Sequence, residues 1–327
     1  MKLGDLPIGA IVQHSEAKYL GKPIQWEVVA KKHTGYPTNS VTLQTKQIIT
    51  AKAMDAQEPK NSNSDRRRYG NNNTTVANLP QWLNSNQKNW YAAQHGADQA
   101  PDSKSVVSYN PYASEAGFLT NFAKQFVDAI LPTTLTTVIP DTDGGGTTKE
   151  TLKIFLPSRT EVGLGDERSG SPEGSKWERY TNDSSRKKTD TPESKQQAES
   201  GGTADGWWWL RTPYSSYSNY SDGTLNGHNA RFGRIGVAPA LNLSSNLTVV
   251  KNNDVYELEF NAPPTITSPQ PENIGDKNEP FSINYTVNDA DGDTVKVTEK
   301  LNGATLRTID SVTLGQQQTI TLTWEQW

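Results

Sequence analysis

The chain has no cysteine and only four histidines, and each shortage closes a line of chemistry. Without cysteine there are no disulfides, no thiolate metal sites and no cysteine nucleophile. His14, His33, His95 and His228 are scattered, with no pair at metal-ligand spacing. Long apolar runs are missing too: nothing approaches the ~18 residues of a membrane helix, so no membrane insertion is expected. Met1-Lys2-Leu3-Gly4-Asp5 opens no signal-peptide core. Basic charge is in deficit, with 32 Lys and Arg against 36 Asp and Glu and a net charge of −4, so a nucleic-acid partner is not expected. The run Arg66-Arg67-Arg68 follows Asp65 and reads as a solvated or salt-bridged loop. Enzyme motifs fail one by one. Gly163-Leu164-Gly165-Asp166-Glu167-Arg168 has arginine where a dinucleotide loop needs its third glycine, and Ser171 stands where a phosphate loop needs lysine after Gly170. No nucleophile elbow is present. Glu161, Asp166 and Glu173 share one polar loop and read as solvated acids rather than a glycosidase pair. No enzymatic activity and no obligatory cofactor are expected.

What is present points to a β-rich, loop-rich chain of two domains. Its 327 residues exceed one typical core, and only 33% are hydrophobic. Ile8–Val12, Ile24–Val29, Val41–Leu43, Thr133–Ile139 and Lys153–Pro157 read as strands, and Val76–Asn84 as a short helix around Leu79, Trp82 and Leu83. Phe118, Phe122, Phe126 and Ile130 recur every four residues, which predicts a long amphipathic helix over Glu115–Leu131. The span Glu161–Gly206 is polar and Gly/Ser-rich, a length of loop that is usually functional or poorly ordered. Leu247–Val250 and Val255–Phe260 predict a hairpin. The paired prolines of Asn261-Ala262-Pro263-Pro264 mark a boundary, dividing the chain into residues 1–261 and 262–327. Beyond it, Phe281–Val287, Thr294–Leu301, Thr305–Ile309 and Thr319–Trp324 alternate at sandwich spacing. About 65 residues are few for a complete sandwich, so this domain is expected to continue past Trp327.

The strongest local feature is Trp207-Trp208-Trp209-Leu210-Arg211-Thr212-Pro213, followed by Gly236-Val237-Ala238-Pro239-Ala240-Leu241. Alternation sends Trp207 and Trp209 one way and Trp208 the other, so this is a buried structural frame. Arg211, locked between apolar neighbours, is expected to bridge carbonyls or a carboxylate. Between the two motifs the chain turns polar and aromatic. Tyr214, Tyr217 and Tyr220 offer rigid amphipathic contact area, and Asn219, His228, Asn229, Arg231 and Phe232 complete a candidate ligand surface resembling antibody paratope chemistry. The competing reading makes them turn residues between two strands. Asp289, Asp291 and Asp293 alternate around Gly292; they read either as a calcium site or as an Asp-Gly hairpin turn, with the turn preferred.

The ordered set Ile24-Gln25-Trp26-Glu27-Val28-Val29, Leu79-Pro80-Gln81-Trp82-Leu83-Asn84, Trp208-Trp209-Leu210-Arg211-Thr212-Pro213 and Gly236-Val237-Ala238-Pro239-Ala240-Leu241 resembles a bacterial and phage domain family of unknown function, over about residues 4–245. The layout also resembles the C-type-lectin-like fold of formylglycine-generating enzymes and of variable phage receptor-binding proteins. The resemblance implies an α+β, C-type-lectin-like domain with one long amphipathic helix. An incomplete all-β immunoglobulin-like sandwich, similar to repeats of phage tail and bacterial surface proteins, would follow it. The enzyme branch depends on a cysteine pair that this chain lacks. Together these readings imply a homo-oligomeric virion protein, released by lysis. It would contact other virion proteins and bind a bacterial cell-surface glycan or protein through residues 214–232. The alternatives are a non-adhesive decoration protein and, ranked last, an enzyme acting on cell-wall glycan.

Overall fold

The computed structural model describes residues 1–107, 110–165, 172–197, 206–214, 217–221, 225–260, 264–268, 280–289 and 294–323; over 214–227 it describes the strand backbone alone. The chain divides into two compact units, Met1–Glu259 and Phe260–Trp327.

The first unit is organised on a seven-stranded sheet. Its order is Thr248–Asn252, Val255–Glu259, Ile11–Gln13, Trp26–Lys31, Ser40–Thr45, Ala240–Ser244 and Ile154–Phe155. All neighbours run antiparallel except Ile11–Gln13 and Val255–Glu259, which pair in parallel with Val12 opposite Tyr256. The central strand Ser40–Thr45 is buried at every position, which requires cover on both faces. One face meets a cluster of Val29, Phe155, Val162, Trp177, Trp208 and Leu210. Another aromatic group runs Trp82–Phe118–Phe122–Phe126–Trp26, with centroids 5.0–6.4 Å apart. Polar atoms on the buried strand are paired: Thr42 Oγ1 donates to Asn242 Oδ1 at 2.7 Å and Gln44 Nε2 to the Ala238 carbonyl at 2.8 Å.

The long amphipathic helix expected over Glu115–Leu131 does not form. A 3-10 turn, Phe118–Asn121, is followed by a separate six-residue helix, Lys124–Ala129. At the break, Phe122 is extended and pairs with Ala17, and the Ala123 N–H donates to the Glu16 carbonyl. Upstream, the Leu119 N–H donates to Ser85, while Thr120 Oγ1 and Asn121 Nδ2 bond the Gly117 and Phe118 carbonyls. These bonds compete with a helical ladder. The phenylalanines still meet in sequence, edge to face, Phe118 with Phe122 and Phe122 with Phe126, so the four-residue spacing records contacts rather than helical turns. Among the described residues no helix exceeds six residues, and none could cross a membrane. The fold class is corrected accordingly. Instead of an α+β, C-type-lectin-like domain built around a long helix, the chain is a set of small β-sheets with short helices.

The polar span after Glu161 is structured where it is described. Trp177 and Tyr180 enter the core, and Asp183–Arg186 and Pro192–Gln197 are short helices. The basic run lies on the helix Ser64–Tyr69, where Arg66 pairs with Asp143. In the second unit, Thr265–Thr267, Phe281–Asn288 and Gln317–Leu322 form one antiparallel sheet, and Val297–Leu301 with Ala304–Ile309 another. Tyr285, Val287 and Val312 make its small core.

Candidate binding site

Trp208 and Trp209 are fully buried and their indole N–H groups are satisfied, Trp208 by the Arg186 carbonyl at 3.2 Å and Trp209 by the Lys52 carbonyl at 2.7 Å. Each buried indole removes on the order of 200 Å² from water, about 5 kcal/mol at ~25 cal/mol per Å². Trp207, before them, is only half-buried. The strand Trp209–Tyr214 then continues into Tyr217–Ser221 and Leu225–Asn229, a three-stranded antiparallel ribbon separate from the main sheet. Register sets Tyr214 opposite Tyr217, Tyr217 opposite Asn229 and Ser218 opposite His228. The side chains of Tyr214, Tyr217, Asn219 and Tyr220 lie outside what is described.

The root of the ribbon is charged and dry. Arg211 is 3% exposed, and Glu161 and Glu173 are 0% exposed. Arg211 forms a two-pronged pair with Glu161, Nη1 to Oε2 at 2.6 Å and Nη2 to Oε1 at 2.8 Å, and also donates to the Leu156 and Glu173 carbonyls. Glu161 further accepts from the Tyr36 hydroxyl at 2.5 Å and the Ser158 N–H at 2.9 Å. Four donors leave that carboxylate no open acceptor position. Glu173 accepts from the Val138 N–H at 2.9 Å and from the Thr212 hydroxyl. Burial works against the Arg211 charge, yet the adjoining Glu161 outweighs it and holds the guanidinium more firmly protonated than usual. Burial raises the Glu173 carboxyl, with Arg211 and Thr212 pulling the other way. It also raises the Tyr36 hydroxyl, reinforced by the Glu161 charge. The acids read from sequence as solvated are therefore buried partners of Arg211. Asp166 lies outside the described residues. What conceals the partnership in the sequence is distance, since Arg211 and Glu161 stand 50 positions apart. An arginine inside a tryptophan-bearing strand is the local signal that a carboxylate must exist.

The far end of the ribbon is fastened separately. The Arg231 N–H donates to the Tyr69 carbonyl, the Val107 N–H to Arg231, and the Gly233 N–H to Val107. Arg231 Nη1 donates to Gln57 Oε1, which turns it away from His228. His228 stacks on Phe232 with centroids 3.9 Å apart, and Trp207 lies 6.4 Å from His228. These three half-buried rings form an aromatic patch, with Asn229 next in the chain. Burial depresses the His228 pKa, favouring the neutral ring. Of the expected ligand residues, the structure brings together His228 and Phe232; Trp207, expected in the buried frame, is half-buried beside them, while Arg211 and Pro213 are buried in the frame.

Beneath this fastening lies a second buried polar cluster. The Asp55 N–H donates to the Ala230 carbonyl, and Asp55 accepts the Asn71 and Asn78 N–H groups at 2.9 and 3.0 Å. Glu58 accepts from the Asn61 and Asn71 amides, and Asp98 from the Asn78 amide. Among the described residues no group of three or more His, Asp or Glu is placed to hold a metal ion. Asp291 and Asp293 lie outside the described residues, and Asp289 alone of the calcium candidates is described.

The sequence pattern of a domain of unknown function, DUF6273, matches residues 38–245. The match takes in the ribbon, its buried root and its far fastening, and begins after the strand Trp26–Lys31. No curated protein and no solved structure matches the chain.

Proposed function

The chain belongs to the DUF6273 family, and as that membership carries no activity, we propose that it is a recognition module that binds a bacterial surface glycan or protein through the ribbon and the adjoining aromatic patch. The observation that carries this reading is the contrast along one stretch of chain. Residues 208–213 are buried and hydrogen-bonded, the Tyr-, Ser- and Asn-rich strands that follow stand apart from the main sheet, and residues 230–233 are stitched down again. A ribbon fixed at both ends loses little entropy on binding, which favours affinity. The saturated Glu161 carboxylate supports a structural role for the acids and a module that works by adhesion. The resemblance to bacterial and phage families supplies the setting: a virion protein acting outside the cell, attached to other virion proteins.

The test is binding of the full chain to bacterial cells and to their extracted glycans. Alanine at Tyr217, Tyr220 and Phe232 is expected to abolish binding with little change in melting temperature. Unchanged binding would remove the ribbon as the site, and no binding by the parent chain would favour a decoration role.

A further inference from the structure

We infer that a cleft beside the strand Ile11–Gln13 is a second ligand site, built for an N-acetylated sugar. The cleft has a volume of about 390 Å³, within the range of small-molecule sites. Its floor is apolar, with Tyr19, Ile24 and Ile49 each less than a tenth exposed. Gln13, Gln25 and Gln47 line its walls from three separate segments.

Two of the three amides, Gln13 and Gln47, are oriented by partners that cannot change role. Gln13 Nε2 donates to the Glu257 carboxylate at 3.0 Å, leaving its Oε1 as an open acceptor. Gln47 Nε2 donates to the Asp190 carbonyl at 3.1 Å and to Thr189 Oγ1, leaving its Oε1 open as well. Gln25 Oε1 lies 3.5 Å from the Lys46 ammonium, a long contact that favours its Nε2 as the donor available to a ligand. The walls therefore offer acceptors and a donor together, the complement of one secondary amide, whose N–H and C=O need one of each. An acetamido group fits that pattern and places a methyl over the isoleucine floor. Lys22 and Glu193 also line the cleft. Their opposite charges cancel as a field for ions, and both bond readily to sugar hydroxyls.

A second observation comes from the hairpin Lys18–Tyr19/Lys22–Pro23, which supplies one wall. Its turn residue Leu20 has φ +50 and is 43% exposed. A left-handed turn position favours asparagine or glycine, so an exposed leucine held there, between the cleft-lining Tyr19 and Lys22, suits contact with a ligand better than folding of the turn. We assign it to the apolar face of the sugar ring. The site uses no residue of the ribbon and stands or falls independently of it.

Saturation-transfer NMR on the full chain tests this with N-acetylglucosamine, glucose and N-acetylalanine methylamide as separate probes. N-acetylglucosamine is expected to bind, and glucose to bind at least about tenfold more weakly, the worth of one lost hydrogen-bonded group. Gln25→Glu keeps the shape but removes the donor, and should abolish the signal. Leu20→Asn relaxes the turn, so the melting temperature should hold or rise while binding falls; that pairing of outcomes separates contact from folding. Equal binding of the methylamide would overturn the sugar assignment in favour of a peptide. Absence of binding, or binding indifferent to Gln25→Glu, would overturn the site.

Discussion

Around Arg211 a buried carboxylate, that of Glu161, is held by a guanidinium, whereas around Asp55 the buried carboxylates are held by amides and backbone N–H groups. Glu161 takes both prongs of the Arg211 cation, and Glu173 meets the same cation through its backbone carbonyl. Asp55, Glu58 and Asp98 are also buried, but no lysine or arginine side chain bonds them among the described residues; His95 Nε2 lies 2.9 Å from Glu58. The Asp55 carboxyl is pushed well above its ordinary value, by burial first and the Glu58 charge second, against the bonds from Asn71 and Asn78. A buried acid must acquire a countercharge or keep its proton. The two clusters illustrate both solutions, and they fasten opposite ends of the same ribbon.

The comparison breaks most visibly at the cation. Arg211→Met strands Glu161 without its partner, and a loss of about 3–5 kcal/mol is expected in denaturant titrations. Adding Glu161→Gln should recover part of that loss, and a double variant as unstable as the sum of the single ones would contradict the pairing. Next comes Asp55→Asn. Both Asp55 oxygens accept backbone N–H groups, so an amide NH₂ must face a donor, at a cost of about 2 kcal/mol. A neutral outcome would show that the backbone bonds are dispensable. Gly174→Ala should cost about 1 kcal/mol or more, because φ is +90 there and a Cβ would meet Glu161 Oε1 at 2.8 Å. The smallest effect belongs to Glu173→Gln, since Oε1 can still accept from Val138 and the new amide can donate to Thr212. Its signature is pH. The folded pKa of Glu173 lies above its ordinary 4.5, so the native state holds the proton more tightly. Its stabilisation is complete below 4.5 and is lost as pH rises through the folded value. Glu173→Gln should flatten that decline without touching the similar one from Asp55, which starts above 3.8. An unchanged slope would mean that Glu173 does not contribute to it.

Local chemistry made some of this legible in the sequence. The β-branched runs at Ile24–Val29 and Thr133–Ile139 announce strands because alternation and turn residues are local properties; the structure has Trp26–Lys31 and Thr133–Val138. The short helix around Leu79 and Trp82 was equally visible. The long helix failed because its interruption comes from Glu16, Ala17 and Ser85, remote residues that bond its backbone. The acid clusters were hidden for a related reason. A glutamate in a Gly/Ser-rich loop looks solvated until the fold delivers a partner from 50 residues away. The glutamine cleft was invisible because its three amides are spread over three segments, and the roles of two of them are decided by Glu257 and Asp190.

The one parallel pairing of the main sheet has a mechanical meaning. Ile11–Gln13 and Val255–Glu259 run side by side in the same direction, one near each end of the first unit. Tension applied through those two ends pulls parallel neighbours lengthwise in opposite directions. Their hydrogen bonds then bear load together, in shear, instead of opening one at a time like a zip. The Met1 and Leu3 N–H groups, bonded to the Val249 and Leu247 carbonyls, tie the same edge again. A module tethered at one end and gripping a surface by its ribbon would be pulled along other axes, so single-molecule extension from residues 1 and 259 should meet far higher resistance than extension from residue 259 and the ribbon.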